Sequence, residues 1–158
     1  TVEITNTDAE GRLILGDALT WVERQGATHI VDVATLTGAM SRALGRHYTG
    51  GFGDRDDWYA DVAAAAARQG EPLWRMPLDE DLRKDFDSPF ADMANVGPPE
   101  GGAITAALFL KEFVPDGVTW AHLDIYAWNG ESRPGRPKGG EATGLRALLG
   151  AIETRFKD

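Results

Sequence analysis

The sequence predicts an α/β fold, a mixed and largely parallel central sheet flanked by helices. Three observations predict it. Short β-branched or apolar runs alternate along the whole chain with stretches of helical period. One run, His29-Ile30-Val31-Asp32-Val33-Ala34-Thr35-Leu36, is apolar at nearly every position, the pattern of a buried, parallel strand. The segment 103–113 is apolar enough and long enough for a largely buried helix.

Residues 1–5 alternate Val2 and Ile4 against Thr and Glu and read as a short strand. The turn out of that strand is followed by apolar residues at Ile14, Leu15, Ala18, Leu19 and Val22, a helical stripe with Gly26 just past its end. After the strand at 29–36, Thr37-Gly38-Ala39-Met40 opens a second helix that ends near Gly45. Gly50, Gly51 and Gly53 mark a turn or a strand boundary. Residues 56–68 are alanine-rich with Asp57 and Asp61 early, which predicts a helix. Residues 72–77 read as extended, with Trp74 and Met76 as anchors, and 79–86 as a short, charged, solvated helix. A strand at 91–96, a Gly/Pro loop at 97–102, the helix at 103–113, an interior strand at 118–126, a Gly/Pro-rich loop at 129–140 and a helix at 141–156 complete the chain.

With 158 residues, 42% hydrophobic and 26% charged, the chain is one ordinary globular domain. No apolar run approaches the ~20 residues of a membrane span. The absence of cysteine excludes disulfides, thiolate metal sites and a cysteine nucleophile, and fits a cytoplasmic protein. A net charge of −9 disfavours nucleic acid and anionic membrane surfaces as partners and suits a protein that handles cations. The chain opens at Thr1 without a methionine and carries its most chemical stretch there, so residues 1–158 are expected to be a fragment, or a chain with an absent upstream half.

That stretch is Asn6-Thr7-Asp8-Ala9-Glu10-Gly11-Arg12-Leu13. In an extended segment residues i and i+2 share a face, so Asp8 and Glu10 would point the same way. Two carboxylates about 6 Å apart repel by about 3 kcal/mol at an effective dielectric near 20, and a divalent cation relieves this better than one guanidinium does. An isolated Asp-x-Glu is a weak signal, because Asp8 can cap a helix while Glu10 favours its positive end. Arg12 has its own structural alternative, a salt bridge to Glu10 or Asp17 worth under ~1 kcal/mol if exposed.

The eight-residue run as a whole resembles the signature of the leucyl aminopeptidase (cytosol aminopeptidase) family, two-metal enzymes that remove residues from peptide N-termini. Ala34-Thr35-Leu36-Thr37-Gly38-Ala39 is similar to the family's second motif. Segments Trp74-Arg75-Met76-Pro77-Leu78, Ala91-Asp92-Met93-Ala94-Asn95, 106–113 and Trp120-Ala121-His122-Leu123-Asp124-Ile125 resemble family segments in the family's order. The resemblance covers nearly the whole chain, but only the carboxy-terminal half of the family's catalytic domain. It implies two divalent ions, zinc or manganese, with Asp8 binding one and Glu10 bridging both, at the ~3.5–4 Å spacing of two-metal sites. It implies that Arg12 is the catalytic arginine, associated with a bound bicarbonate. The Leu36 carbonyl and Gly38 amide would hydrogen-bond the peptide main chain, and Thr35, Tyr126 and Asn129 would line the pocket for its first side chain. Tyr126-Ala127-Trp128-Asn129 and the loop at 129–140 depart from the commoner family form, which bears on residue preference.

The family's other ligands, a lysine and two aspartates, and its catalytic lysine precede this region, and Lys84, Lys111, Lys138 and Lys157 have no such context. The chain alone is therefore expected to be incomplete and inactive. The resemblance also implies peptide substrates and a homohexamer. A different class remains open, a non-catalytic α/β module kept for assembly or binding. His29, His47 and His122 lack ligand spacing and read as structural. Asp54, Asp56 and Asp57 read as helix-capping, not as a calcium loop. Trp120 and Trp128 read as core or interface anchors.

Overall fold

The computed structural model describes residues 1–157 and has the α/β architecture expected. Strand β1 (Val2–Glu3) leads to α1 (Gly11–Arg24), β2 (His29–Ala34), α2 (Gly38–Leu44), β3 (Thr49–Gly53), α3 (Asp56–Gln69) and β4 (Leu73–Arg75). A 3-10 helix at Glu80–Phe86 precedes β5 (Met93–Ala94), α4 (Gly102–Lys111), β6 (Thr119–Asp124), β7 (Trp128–Asn129), β8 (Gly139–Gly140) and α5 (Leu145–Arg155). The central sheet has the order β2-β6-β3-β4. Its β2/β6 and β3/β4 pairs are parallel and its β6/β3 pair antiparallel, so it is mixed and largely parallel. Strands β1 and β5 form a separate parallel pair, and β7 and β8 an antiparallel one.

Alternation along β6 builds two cores. Trp120 faces one side, with Phe52, Leu108, Phe109 and Leu110; Ala121 and Leu123 face the other, with Trp58, Val62 and Ala65. Helix α4 is buried from Thr105 to Leu110, as its composition predicts. Full burial of each large apolar side chain contributes about 1.5–3 kcal/mol. The alanines of α3 leave room for α5, where a Cβ on Gly150 would stand 3.3 Å from that of Ala65. Gly70, at a left-handed φ of 66°, ends α3 as the cap bonding back to Ala66 and Ala67.

Several expectations are corrected. Gly50, Gly51 and Gly53 are not a turn: they lie in β3, fully buried, because Met40 and the Tyr59 ring occupy the space where side chains would stand. Trp74 is 58% exposed, since β4 is an edge strand and Leu73 takes its inward position; Met76 does pack on the core. Of the two tryptophans expected as core or interface anchors, Trp120 is in the core, and Trp128, exposed on the short β7, keeps only the interface alternative. The strands expected at 1–5 and 91–96 contract to two residues each, and the loop at 129–140 closes through β7 and β8. The stripe of α1 is rotated: Arg12, Gly16 and Leu19 point inward while Ile14 is exposed, and the Phe113 ring fits against Gly16. A pattern that counts arginine as outward misses this. Asp56 and Asp57 do occupy the first turn of α3, paired with Arg75 and Arg155, while Asp54 accepts from the Trp120 amide. No described helix is long and apolar enough to cross a membrane.

Candidate active site

The carboxylates Asp8 and Glu10 are carried by a turn and a helix start rather than by a strand. The Asp8 amide donates to Asn6 Oδ1 at 2.9 Å and the Ala9 amide to the Asn6 carbonyl at 3.3 Å, closing the turn. Glu10 already has helical dihedrals, φ −73° and ψ −30°, and its carbonyl accepts the first bonds of α1 from Leu13 and Ile14. Face-sharing by strand alternation is therefore not what groups the two side chains; the turn geometry is. Both are exposed, and neither caps the helix through its side chain. They border a cavity of about 490 Å³ whose other wall is Ala34, Thr35, Leu36 and Gly38.

Arg12 belongs to the same cavity but turns inward. Its side chain is only 6% exposed, Nη1 donates to the Asn95 carbonyl at 2.8 Å, and the guanidinium lies 5.8 Å from the Phe109 ring centre. The salt bridge to Glu10 or Asp17 considered from sequence is not made. Burial lowers the pKa of this guanidinium, and the charge of Asp124 acts against that shift.

The opposite wall is held by Asp124, at the end of β6. One carboxylate oxygen accepts from the amides of Leu36 (3.0 Å) and Thr37 (3.3 Å), the other from the Thr37 hydroxyl (2.6 Å). Thr37 Oγ1 in turn caps α2 by accepting from the Met40 amide. Burial raises the Asp124 pKa, and the Thr37 hydrogen bond is the largest influence against it. Because the folded state then binds its proton more tightly than the unfolded chain, this group's contribution to stability declines as pH rises from the ordinary carboxylate range through the raised value. Replacing Asp124 by Ala is expected to strand three donors and cost about 2–4 kcal/mol. Asp124→Asn, able to accept both amides and donate to Thr37, is expected to stay within about 1 kcal/mol of the parent. Thermal unfolding of the two variants checks this, and equal losses would refute the assigned contacts.

Thr35, Gly38 and Tyr126 line a second, adjoining cavity of about 370 Å³, and the Arg46 guanidinium covers the Tyr126 ring at 5.0 Å. Asn129 is not brought into it. Its amide donates to the Pro137 carbonyl and Glu141 and accepts from Arg133, spanning the β7–β8 arch. Ala127, between Tyr126 and Asn129, has φ 54°, an unusual backbone for alanine that redirects the chain after β6.

The model of the cytosol aminopeptidase family catalytic domain matches residues 1–149. The chain belongs to this family. A probable cytosol aminopeptidase of Solibacter usitatus is 52% identical over 150 residues, spanning 94% of this chain and 31% of that protein. One of Streptomyces coelicolor is 51% identical over 156 residues, spanning 97% and 30%. The crystal structure of the Coxiella burnetii cytosol aminopeptidase superposes with a TM-score of 0.93 at 45% identity, covering 99% of this chain and 34% of that one. A mutant tomato leucine aminopeptidase matches with a TM-score of 0.88 at 44% identity, covering 98% and 30%. This cytosol aminopeptidase family chain thus spans about a third of the length of the relatives it matches.

Sequence reasoning placed Thr37 at the start of a helix, where it caps α2, but gave no role to Asn95 or Asp124, although each lies in a segment that resembles the family. The available signal was a polar residue inside an otherwise apolar strand pattern. Among the described residues no group of three or more His, Cys, Asp or Glu side chains is able to hold a metal ion.

Proposed function

We propose that the longer protein containing this chain is a metal-dependent aminopeptidase that releases N-terminal amino acids from peptides. What carries the reading is one juxtaposition: Asp8, Glu10 and Arg12 share a cavity with the Leu36–Gly38 backbone in a chain of the cytosol aminopeptidase family. The donor chemistry fits, since exposed carboxylate oxygens are acceptable ligands for zinc and manganese. Asp8 would hold one ion and Glu10 would bridge two, with the other ligands coming from the remainder of the longer protein. This chain alone is then incomplete and inactive. Bound divalent ions supply Lewis acidity and a nucleophilic water at neutral pH.

The other groups act on the substrate. The Leu36 carbonyl and Gly38 amide hold the peptide main chain in register. The Arg12 guanidinium steadies negative charge that develops on the scissile carbonyl, or a bicarbonate beside it. Thr35, Gly38 and Tyr126 receive the first side chain, and Tyr126 narrows that pocket against a large aliphatic residue. Asn129 enters this reading as the anchor of the arch that carries Trp128. A cytosolic location and a homo-oligomer, hexameric by the family resemblance, belong to the same proposal.

The test is turnover of Leu-p-nitroanilide by the full-length product with manganese, after chelation and after manganese is restored. Activity that disappears and returns supports the enzyme. A full-length protein that binds no metal and turns over no peptide overturns it in favour of a non-catalytic α/β module.

A further inference from the structure

We propose that Asn95 is a positioning residue that clamps the Thr5–Arg12 segment, holding Asp8, Glu10 and Arg12 in one arrangement. The inference rests on the reading of Asp8 and Glu10 as metal ligands and adds a residue to it that touches neither metal nor substrate.

Asn95 is fully buried just after β5 and spends nearly all its hydrogen-bonding capacity on one partner segment. Its Oδ1 accepts from the Thr5 amide (2.9 Å), the Thr5 hydroxyl (3.2 Å) and the Asn6 amide (3.2 Å). Its Nδ2 donates to the Asn6 carbonyl at 2.6 Å. The network itself fixes the amide orientation, since the oxygen meets donors and the nitrogen meets a carbonyl. The Asn95 main chain continues the clamp: its amide donates to the Glu3 carbonyl at 2.9 Å, and its carbonyl receives Arg12 Nη1 at 2.8 Å. One residue therefore ties β1, the carboxylate turn and the guanidinium together. Asn6, gripped on both its amide and its carbonyl, uses its own side chain to hold the Asp8 amide.

The chemistry calls for asparagine. Aspartate keeps the shape and the accepting oxygen but presents a second acceptor to the Asn6 carbonyl where a donor is required. Alanine leaves the Thr5 and Asn6 amides without a partner inside the fold. Outer contacts that orient metal ligands are typically worth about 10–100-fold in metal affinity or activity.

The experiment compares full-length wild type, Asn95→Asp, Asn95→Ala and Val62→Ala, the last a fully buried core position remote from the cavity. Hydrogen exchange of residues 5–12, Mn2+ affinity by calorimetry, and kcat and KM separately are measured. Expected for Asn95→Asp are faster exchange confined to residues 5–12, Mn2+ binding weakened about 10–100-fold, and a loss in kcat larger than the rise in KM. Val62→Ala lowers the melting temperature without these effects. If Asn95→Ala does not fold, Asn95→Asp decides. Wild-type exchange and Mn2+ affinity in a folded Asn95→Asp, or the same changes in Val62→Ala, overturn the clamp. If wild type itself binds no Mn2+, the metal reading has failed, and the clamp stands or falls on whether exchange at 5–12 quickens.

Discussion

Glu10→Gln in the full-length protein is expected to lower aminopeptidase turnover by more than the ~100-fold seen for outer-shell changes at metal sites, while the fold survives. The carboxamide keeps the size of the side chain and one oxygen, but it loses the charge and the second oxygen a bridging ligand needs. Little structure depends on that group: Glu10 is exposed, and its helix-capping role is carried by its backbone carbonyl. Stability is therefore expected to change by no more than about 0.5 kcal/mol, the usual range for surface substitutions. Asp8→Asn should behave alike, since the contact that closes its turn is made by its amide. Asp17→Asn is the control, an exposed carboxylate on α1 outside the cavity, and should retain full turnover. Calorimetric Mn2+ titration and peptide turnover read the result. Full metal-dependent activity in either Glu10→Gln or Asp8→Asn sinks the ligand assignment.

The residues of that prediction are legible in the sequence because they are neighbours in it. A turn and the helix that follows set Asp8, Glu10 and Arg12 beside one cavity, and the segment after β2 carries Leu36–Gly38 to its other wall. What holds these pieces is not local. Asn95 meets Asn6 across 89 positions, and Asp124 meets Leu36 across 88. Periodicity has no reach over such distances. The glycines of β3 fail to read as strand for the same reason: the need for hydrogen in place of a side chain comes from Met40 and Tyr59. Arg12 defeats the stripe of α1 because its Nη1 finds a carbonyl inside, that of Asn95 just after β5. Helices α3 and α4, whose signals are compositional and continuous, emerge within a residue or two of expectation.

The second large effect is expected at Asp32, which the sequence presents as an interruption in an apolar strand. Its two oxygens accept from the Trp120 indole N–H at 2.7 Å and from His122 Nδ1 at 2.5 Å. A carboxylate only accepts, so Nδ1 carries the proton, and Nε2 is left buried without a partner among the described residues. The imidazole is held between Phe52 and Trp120, stacked on both. Asp32 and His122 are also direct partners in the parallel β2–β6 register, two positions before Ala34 and Asp124. The dyad thus pins the pair of strands whose ends carry the Leu36–Gly38 loop and the carboxylate that holds it. Asp32→Ala strands two buried donors at about 1–3 kcal/mol each, so a loss of about 2–6 kcal/mol is expected, a large fraction of ordinary domain stability. At about 2–4 °C per kcal/mol, the melting temperature should fall by roughly 4–24 °C. Asp32→Asn retains one acceptor and turns its amide hydrogens toward the other donor, so it should recover only part of the loss. A fall of less than about 2 °C in Asp32→Ala would mean that the dyad contributes no net stability, and that apolar packing of Phe52 and Trp120 alone fixes the β2–β6 register.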